Sequence, residues 1–319
     1  MGIKTVLCDL LGIEYPIIQG GMALVATAEL AAAVSEAGAL GVIAAGDADP
    51  ESVRKEIHKV RALTSKPFGI NVYLLSPFAA EVMRVVIDEK VPVVTTGAGN
   101  PGKYVPSLKD AGVKVLSVVS SVNMARRLER AGVDAVIAEG MECGGHIGQI
   151  ASMPLVPQIA DAVDIPVVAA GGIYDGRGLV AALALGAVGV QMGTRFLCAA
   201  ECPVHPGYKQ AIIAAKDRST VVIGQSTGHP VRVLQNRFAR EVLQGGAGED
   251  SKAAFSDMAV DALRRAVFDG DIEYGCLMAG QVAAMVSREE SCKEIIGHVM
   301  ATASDALRRL GSYTFPLGG

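Results

Sequence analysis

The 319-residue chain is 50% hydrophobic, contains 37 glycines and carries a formal net charge of −4. This charge argues against general nucleic-acid binding, because no basic excess is available to neutralise phosphates. Glycine and charged residues interrupt every apolar stretch before about 18 residues, so no membrane-spanning segment is expected. The six cysteines show no CxxC spacing and no secretory signal is apparent, so we expect a cytoplasmic protein with reduced thiols.

Up to about residue 200, short apolar runs alternate with helix-patterned stretches. In chain order the apolar runs are YPIIQG, LGVIAAG, PFGINVYL, VPVVTTG, VKVLSVV, DAVIAEG, IPVVAAGG and AVGVQMG. Parallel strands need crossover helices, so eight such units predict an α/β fold, a TIM (β/α)8 barrel over residues 1–200. An open doubly wound sheet is the alternative, but GGMALVAT after the first run lacks the glycine spacing typical of that fold.

The alternation ends after Phe196. HPGYKQAIIAAK predicts a helix, STVVIGQ predicts a strand, and HPVRVLQNRFAREVL predicts a further mixed or helical stretch. Three more helices are predicted around residues 255–269, 279–287 and 290–310. We therefore expect a small, mostly helical lid subdomain at residues 201–275, and C-terminal helices at residues 276–319 that complete the barrel.

Residues suited to binding or catalysis follow several of the predicted strands. Six of them fall on or just beyond a carboxyl end, where barrels bind ligands: Met22, Asn71, Glu139, His146, Gly172 and Gly193. The last two strands end in AAGGI and QMGT, and their glycines allow a ligand to approach the backbone closely. Each glycine loop alone could simply make a tight turn. Together with a titratable ring nearby, the two loops favour a phosphate-bearing cofactor and hence an enzyme.

Several motifs occur in a fixed order over nearly the whole chain: GGMA, GINVYLLSPF, TTGAGNP, AEGMECGGHIG, AAGGI, QMGTRF and MAGQ. In this order they resemble the flavin-dependent enoyl-acyl-carrier-protein reductases of the FabK type. That family shares a superfamily with the nitronate monooxygenases, which are similar to 2-nitropropane dioxygenase. The resemblance implies tightly bound FMN, NADH or NADPH as the reductant, a trans-2-enoyl thioester on acyl carrier protein as the substrate, and a homodimer.

The resemblance also implies roles for individual residues. His146 matches the histidine beside the flavin and is the expected proton donor in catalysis, since an imidazole can donate a proton near neutral pH. The positions expected to bind FMN are Gly21, Met22, Ala23, Asn71, Glu139, Gly144, Gly145, Gly171, Gly172, Gln191, Met192, Gly193, Thr194, Ala279, Gly280 and Gln281.

Glu139 departs from the wider superfamily, where the monooxygenases tend to carry Gln at this position. A carboxylate close to an anionic flavin is unfavourable, because like charges raise its pKa. Three interpretations remain open: Glu139 is protonated, it pairs with a cation such as a monovalent metal ion, or it accepts hydrogen bonds from backbone amides.

Other reactive residues have simpler interpretations. Cys143 precedes His146 by three residues, and ordinary packing is favoured over a reactive thiol. His205 and His229 could line an acyl channel in the lid or be solvated or core histidines. No metal site is expected, because a Cys202–His205 pair lacks further ligands at suitable spacing.

The predicted lid is locally basic on an otherwise acidic chain. Between Pro203 and Arg240 the cations are Lys209, Lys216, Arg218, Arg232, Arg237 and Arg240, against the single acid Asp217. Such a region is either a scattered solvated face or a docking surface for an acidic carrier protein.

Enoyl thioester reduction is the leading functional hypothesis. Nitronate oxidation, with oxygen instead of a nicotinamide and with His146 as a base, is the principal alternative. A flavin-binding protein without turnover and a flavin-free barrel enzyme acting on a sugar phosphate are weaker alternatives.

Overall fold

The computed structural model describes residues 3–245 and 252–313, except for the side chains of residues 252–257. Residues 246–251 of the predicted lid and residues 314–319 of the predicted C-terminal segment therefore lie outside the described residues. Within the described part of the chain, no helix is both long and apolar enough to cross a membrane.

Eight parallel strands form the barrel, one from each predicted apolar run. Their bounds are β1 Ile17–Gln19, β2 Gly41–Ala44, β3 Phe68–Tyr73, β4 Val93–Gly97, β5 Lys114–Val119, β6 Ala135–Glu139, β8 Val167–Ala170 and β9 Gly189–Met192. A two-residue strand between β6 and β8 in sequence, β7 (Gly145–His146), lies outside the barrel. A parallel bridge between Ile18 and Leu40 joins the β1 and β2 ends of the sheet. The TIM barrel is therefore confirmed, and the doubly wound alternative is wrong.

The crossover helices lie outside the strands, preceded by one short N-terminal helix. Their bounds are α1 Val6–Leu11, α2 Ala28–Glu36, α3 Pro50–Leu63, α4 Ala79–Asp88, α5 Val105–Asp110, α6 Val122–Arg130, α7 Ser152–Ala160, α8 Gly176–Ala184 and α9 Thr194–Leu197. Helix α3 shows how the sequence determines where a helix begins. Asp49 accepts hydrogen bonds from two amides of the first turn, and Pro50 follows it as the first helical residue.

The buried apolar side chains form two groups. One lies inside the barrel, and the other lies between the strands and the outer helices. The inner group includes Ile18, Val42 and Val93 from the strand region and Leu7 and Leu11 from α1. Helix α1 therefore closes the amino-terminal end of the barrel, and the carboxyl ends of the strands remain available for a ligand.

The segment predicted as a lid (residues 201–275), called the lid below, mixes helices with a small antiparallel sheet. Its elements are α10 Pro206–Ile213, β10 Thr220–Ile223, a 3-10 turn Gln225–Thr227, β11 Val231–Leu234, α11 Arg237–Leu243 and α12 Lys252–Arg264, which continues as a π-helical turn at Arg265–Asp269. The strand in STVVIGQ is present as β10, and the stretch described as mixed or helical divides into β11 and α11. Strand β11 pairs with β10 on one side and with β7 on the other.

The last helix, α13 (Cys292–Gly311), packs against α8 and α2. Gly176 at the start of α8 permits this close approach, because a Cβ atom there would lie 1.9 Å from the Ala303 nitrogen. Helix α13 thus occupies the position of the eighth outer helix, although the lid separates it from β9 in sequence.

Candidate active site

The loop after β1 meets the end of β3 at one side of the barrel mouth. A Cβ atom on Gly21 would lie 2.4 Å from the Asn71 Cβ, so only glycine fits against this side chain. The Asn71 amide donates a hydrogen bond to the Thr95 hydroxyl on β4 at 2.9 Å. These contacts bring the predicted residues Gly21 and Asn71 together and fix the direction of the Asn71 side chain.

Two glycine loops adjoin each other at the ends of β8 and β9. Gly171 and Gly172 both have positive φ, +90° and +73°, a conformation that glycine adopts readily. Gly193 is the N-cap residue of α9, and its missing Cβ would lie 3.7 Å from the Met22 sulfur. Within the described residues, neither Gly172 nor Gly193 donates its amide to a backbone carbonyl. Free amides on adjacent glycine loops fit the phosphate of FMN.

Residues 279–281 pack against two loops at the mouth, the one after β9 and the one after β6. The Gly280 amide donates to the Thr194 hydroxyl at 2.9 Å, and the Gln281 amide donates to the Glu142 carbonyl at 3.0 Å. A Cβ atom on Gly144 would lie 2.7 Å from the Ala279 carbonyl carbon. The helix predicted at residues 279–287 is a short 3-10 helix, Gln281–Met285.

The predicted cofactor residues differ in their exposure to solvent. Ala23, Gly172 and Gln281 are exposed, whereas the buried ones are Gly145, Met192, Thr194, Ala279 and Gly280. Gly145 pairs with Arg232 of the lid, and the Met192 carbonyl accepts the Gly20 amide at 2.9 Å. Gly145 therefore joins the loop after β6 to β11, and Met192 joins β9 to the loop after β1. Gln191 lies beneath Gly20, with its Cγ 3.3 Å from where a Cβ of that glycine would be.

Glu139 ends β6 and is half-buried at the mouth. Burial raises the pKa of its carboxyl to about 7, and a hydrogen bond with the Cys143 thiol opposes this shift. Among the described residues, no cation contributes to the shift of this pKa. A carboxyl with this pKa is largely protonated below pH 7. Pairing of Glu139 with a monovalent metal ion stays a prediction. Burial also raises the pKa of Cys143 well above its usual range, which disfavours a reactive thiolate.

Glu142 is a structural residue of the loop that follows β6 and carries His146 (residues 140–148, the histidine loop), and it was not among the predicted residues. Its carboxylate accepts hydrogen bonds from the Ser152 amide and hydroxyl at 3.0 Å. Ser152 is the first residue of α7, so Glu142 ties the loop to the start of that helix. A carboxylate at a helix start is also favourable for the helix dipole.

His146 is exposed at the mouth and lies beside Tyr73, with ring centroids 6.4 Å apart and ring planes 27° apart. Although the residue is exposed, the protein removes part of the water around its ring, and this desolvation lowers the pKa of His146. The charge of His229 lowers the same pKa further. Tyr73 was not among the predicted site residues. Strand periodicity could have found it, because Asn71 and Tyr73 are two residues apart in β3 and share one face.

The other lid histidine has a structural role. The His205 ring nitrogen Nδ1 accepts the Gly207 amide at 3.0 Å, so His205 caps α10. His229 is exposed in the loop before β11. Of the two histidines, only His229 acts on the site.

Part of the predicted basic region of the lid is buried. Lys209 and Arg232 are each only 5% exposed, so neither can form part of a docking surface. The Lys209 ammonium donates to the Ala199 carbonyl at 2.8 Å and pairs with Glu289 at 3.1 Å. Arg232 bonds inside the lid and to the histidine loop. The cations that remain exposed are Lys216, Arg218, Arg237 and Arg240.

Comparisons with known proteins identify similar chains. A family model for nitronate monooxygenase matches residues 4–84 and 78–302. The structure of FabK from Thermotoga maritima is 50% identical, covers 98% of this chain and 100% of that one, and superposes with a TM-score of 0.95.

Two further relatives carry different names. A nitroalkane oxidase from Streptomyces ansochromogenes is 32% identical over 96% of this chain and all of its own, with a TM-score of 0.86. A (3aS,4S,5R,7aS)-5-hydroxy-7a-methyl-1-oxo-octahydro-1H-indene-4-carboxyl-CoA dehydrogenase from Mycobacterium tuberculosis is 34% identical over 95% of this chain and 97% of its own.

Proposed function

Because the chain belongs to the nitronate monooxygenase family, whose members are FMN-dependent oxidoreductases, we propose that it is an enoyl-[acyl-carrier-protein] reductase that uses NADH or NADPH. The observation that carries the proposal is the 50% identity to FabK over almost the full length of both chains. The Mycobacterium tuberculosis relative, named for a carboxyl-CoA, adds support for a thioester substrate.

The flavin, when bound, would accept hydride from the nicotinamide and transfer it to the β-carbon of the enoyl thioester. The backbone amides of Gly172 and Gly193 would hold the FMN phosphate, and Met22 and Asn71 would lie beside the ring system. The half-buried Glu139 would contact the cofactor and would be protonated below about pH 7, because its pKa is raised to about 7.

His146 would supply the proton that the α-carbon needs after hydride transfer. Its side chain is exposed at the mouth, while its backbone is paired with Val231 in the lid. The lowered pKa makes the imidazolium a stronger acid but a smaller fraction of the population at neutral pH. The Tyr73 ring beside it would restrict the imidazole and form one wall of the thioester site.

The exposed cations of the lid suit an acidic protein partner. Lys216, Arg218, Arg237 and Arg240 would guide acyl carrier protein towards the mouth. Electrostatic guidance of this kind acts on the encounter with the carrier protein and not on the chemical step.

One anaerobic experiment tests the proposed function. NADH or NADPH is added to the purified flavoprotein, and the flavin absorbance is followed before and after addition of crotonyl-CoA or an enoyl carrier protein. We expect rapid bleaching and then recovery of the absorbance. A His146→Ala variant should still bleach but should recover about 10²- to 10⁴-fold more slowly, because it lacks the proton donor. Absence of bleaching with either nicotinamide would contradict the proposal.

Nitronate oxidation is the second candidate, and one observation favours it. The lowered pKa of His146 keeps the imidazole neutral at pH 7, which is the form that a base requires. For this activity, the neutral imidazole would take a proton from a neutral nitroalkane to give the nitronate, and the nitronate would be consumed in air without any nicotinamide. Turnover of nitronate with no bleaching by NADH or NADPH would support this candidate over the reductase.

A further inference from the structure

Strand β11 of the lid presents successive side chains to opposite faces. Val231 pairs with His146 and Arg232 pairs with Gly145, and the Ile147 amide extends the pairing to the Pro230 carbonyl at 3.1 Å. Val231 therefore shares the face of His146, while Arg232 points to the other face of this small sheet. The lid thus holds the backbone of the expected proton donor by a short stretch of antiparallel pairing.

We propose that Arg232 is a positioning residue that locks the histidine loop onto the lid hairpin and thereby fixes His146 at the barrel mouth. The catalytic part of this inference rests on the proposed function. The locking itself is a property of the chain that can be measured without a substrate.

The hydrogen bonds of Arg232 join the two segments directly. Its Nε donates to the Met141 carbonyl in the histidine loop at 3.1 Å. One terminal guanidinium nitrogen donates to the Thr220 hydroxyl on β10 at 3.2 Å. A single side chain therefore connects both strands of the hairpin to the segment between Glu139 and His146.

Gly145 lies opposite Arg232 in this strand pair. Its φ of +76° favours glycine, so the turn that presents the histidine loop to β11 depends on this residue. Among the described residues, a Cβ atom there would have only the Met278 sulfur within 4 Å, at 3.6 Å, so the Arg232 side chain does not crowd it. Gly145 thus serves the contact with the lid through its backbone, although it was predicted to bind the cofactor.

The burial of Arg232 supports a specific role. Only 5% of the residue is exposed, and its hydrogen bonds within the described residues go to a carbonyl and a hydroxyl. Burial lowers the pKa of its guanidinium, and the nearby Cys143 and Glu142 oppose this effect. A buried cation without a direct carboxylate partner contributes little to stability, since desolvation is costly. Its geometry therefore matters more than its charge.

Hydrogen exchange measures the lock in the absence of substrate. The Arg232→Met variant keeps a side chain of similar length and removes both hydrogen bonds. Lys209→Met is the matched control, because it also removes a buried cation of the lid but one that bonds away from the histidine loop. In the flavoprotein we expect peptides covering residues 141–148 to exchange about tenfold faster in Arg232→Met and at the wild-type rate in Lys209→Met. Equal exchange in both variants would overturn the proposal.

Stopped-flow kinetics then measures the consequence for His146. Reduction of the bound flavin by the nicotinamide does not use the proton donor, whereas reoxidation by crotonyl-CoA does. We expect Arg232→Met to slow reoxidation about tenfold or more and to leave reduction within about twofold of wild type, since small displacements of a catalytic group are costly. Equal slowing of the two half-reactions would show a merely structural role and overturn the proposal.

The two measurements separate failure of this inference from failure of the proposed function. If wild-type flavoprotein is not reoxidised by any enoyl thioester, the reductase assignment is wrong, while hydrogen exchange still decides whether Arg232 locks the loop. If Arg232→Met does not yield folded flavoprotein, Arg232→Lys is judged by the same criteria, because it keeps the charge and cannot form both hydrogen bonds.

Discussion

Tyr73 and His146 come from separate parts of the chain and place their rings side by side, 27° from parallel and with centroids 6.4 Å apart. Tyr73 stands on the rigid strand β3, whereas His146 stands on a loop held by the lid. The barrel thus supplies a fixed aromatic surface against which the lid places the imidazole.

Replacing Tyr73 by Leu should remove this surface and leave the His146 ring free to rotate. We expect reoxidation of the reduced flavin by crotonyl-CoA to slow about tenfold, with flavin reduction nearly unchanged. Tyr73→Phe is the matched control, because it keeps the ring and loses only a hydroxyl. Burial raises the pKa of that hydroxyl, so it stays neutral near pH 7. Equal slowing in the Phe variant would indicate instead that the hydroxyl is required.

His229 should shift the pH dependence of the reoxidation step. Its charge lowers the pKa of His146, in addition to the larger effect of burial. Because the donor acts in its protonated form, the rate should rise as the pH falls through the pKa of His146. His229→Gln should raise that pKa and move the inflection of the pH–rate profile to higher pH. An inflection that stays in place, or that moves to lower pH, would contradict this prediction.

Glu139 should make the flavin-free protein less stable as the pH rises. Its pKa is about 7 in the folded chain and about 4.3 when unfolded. The unfolded state therefore releases its proton first, and the free energy of unfolding should fall by up to about 1.4 kcal/mol per pH unit between those values. Above pH 7 this contribution should stay constant.

Urea unfolding at pH 5 and pH 8 checks this expectation. Glu139→Gln should lose less stability between the two pH values than wild type, because an amide does not titrate. Glu81→Gln, which changes an exposed carboxylate on α4, serves as the control and should behave like wild type. The same loss in both variants would show that Glu139 is ionised in the folded chain.

Reversing the charge of exposed lid residues should affect the carrier-protein substrate selectively. We expect the Lys216→Glu, Arg218→Glu double variant to raise KM for enoyl carrier protein about fivefold or more and to leave KM for crotonyl-CoA unchanged. The control is Lys55→Glu, Lys66→Glu, which makes the same change in net charge on exposed residues of the barrel. Equal effects of the two double variants would show that only net charge matters, and no effect of either would contradict docking at this face.

The barrel and the glycine-rich ends of its last strands could be predicted from the sequence, because both depend on local patterns. Apolar runs separated by capped helical stretches specify strand–helix units, and glycines at strand ends mark turns with special backbone angles. The proximity of Tyr73 to His146 also follows from the rule that parallel strands end at one edge, although Tyr73 was not among the predicted residues.

The role of Arg232 could not be predicted in this way. Its position in a basic stretch suggested an exposed cation, yet the pairing of β11 with β7 buries it against a loop about 90 residues earlier. Such pairing depends on contacts between distant parts of the chain, which composition and periodicity do not report. The same reason explains why the small sheet of the lid was not foreseen as an extension of the histidine loop.

The late position of α13 has a consequence for biosynthesis. Helix α13, which fills the space between α8 and α2 on the outside of the barrel, is formed by residues 292–311. These residues leave the ribosome after the entire lid. A nascent chain that has completed all eight strands still exposes the apolar flanks of α8 and α2 to solvent. Chaperone capture during translation is therefore expected to persist until these final turns emerge.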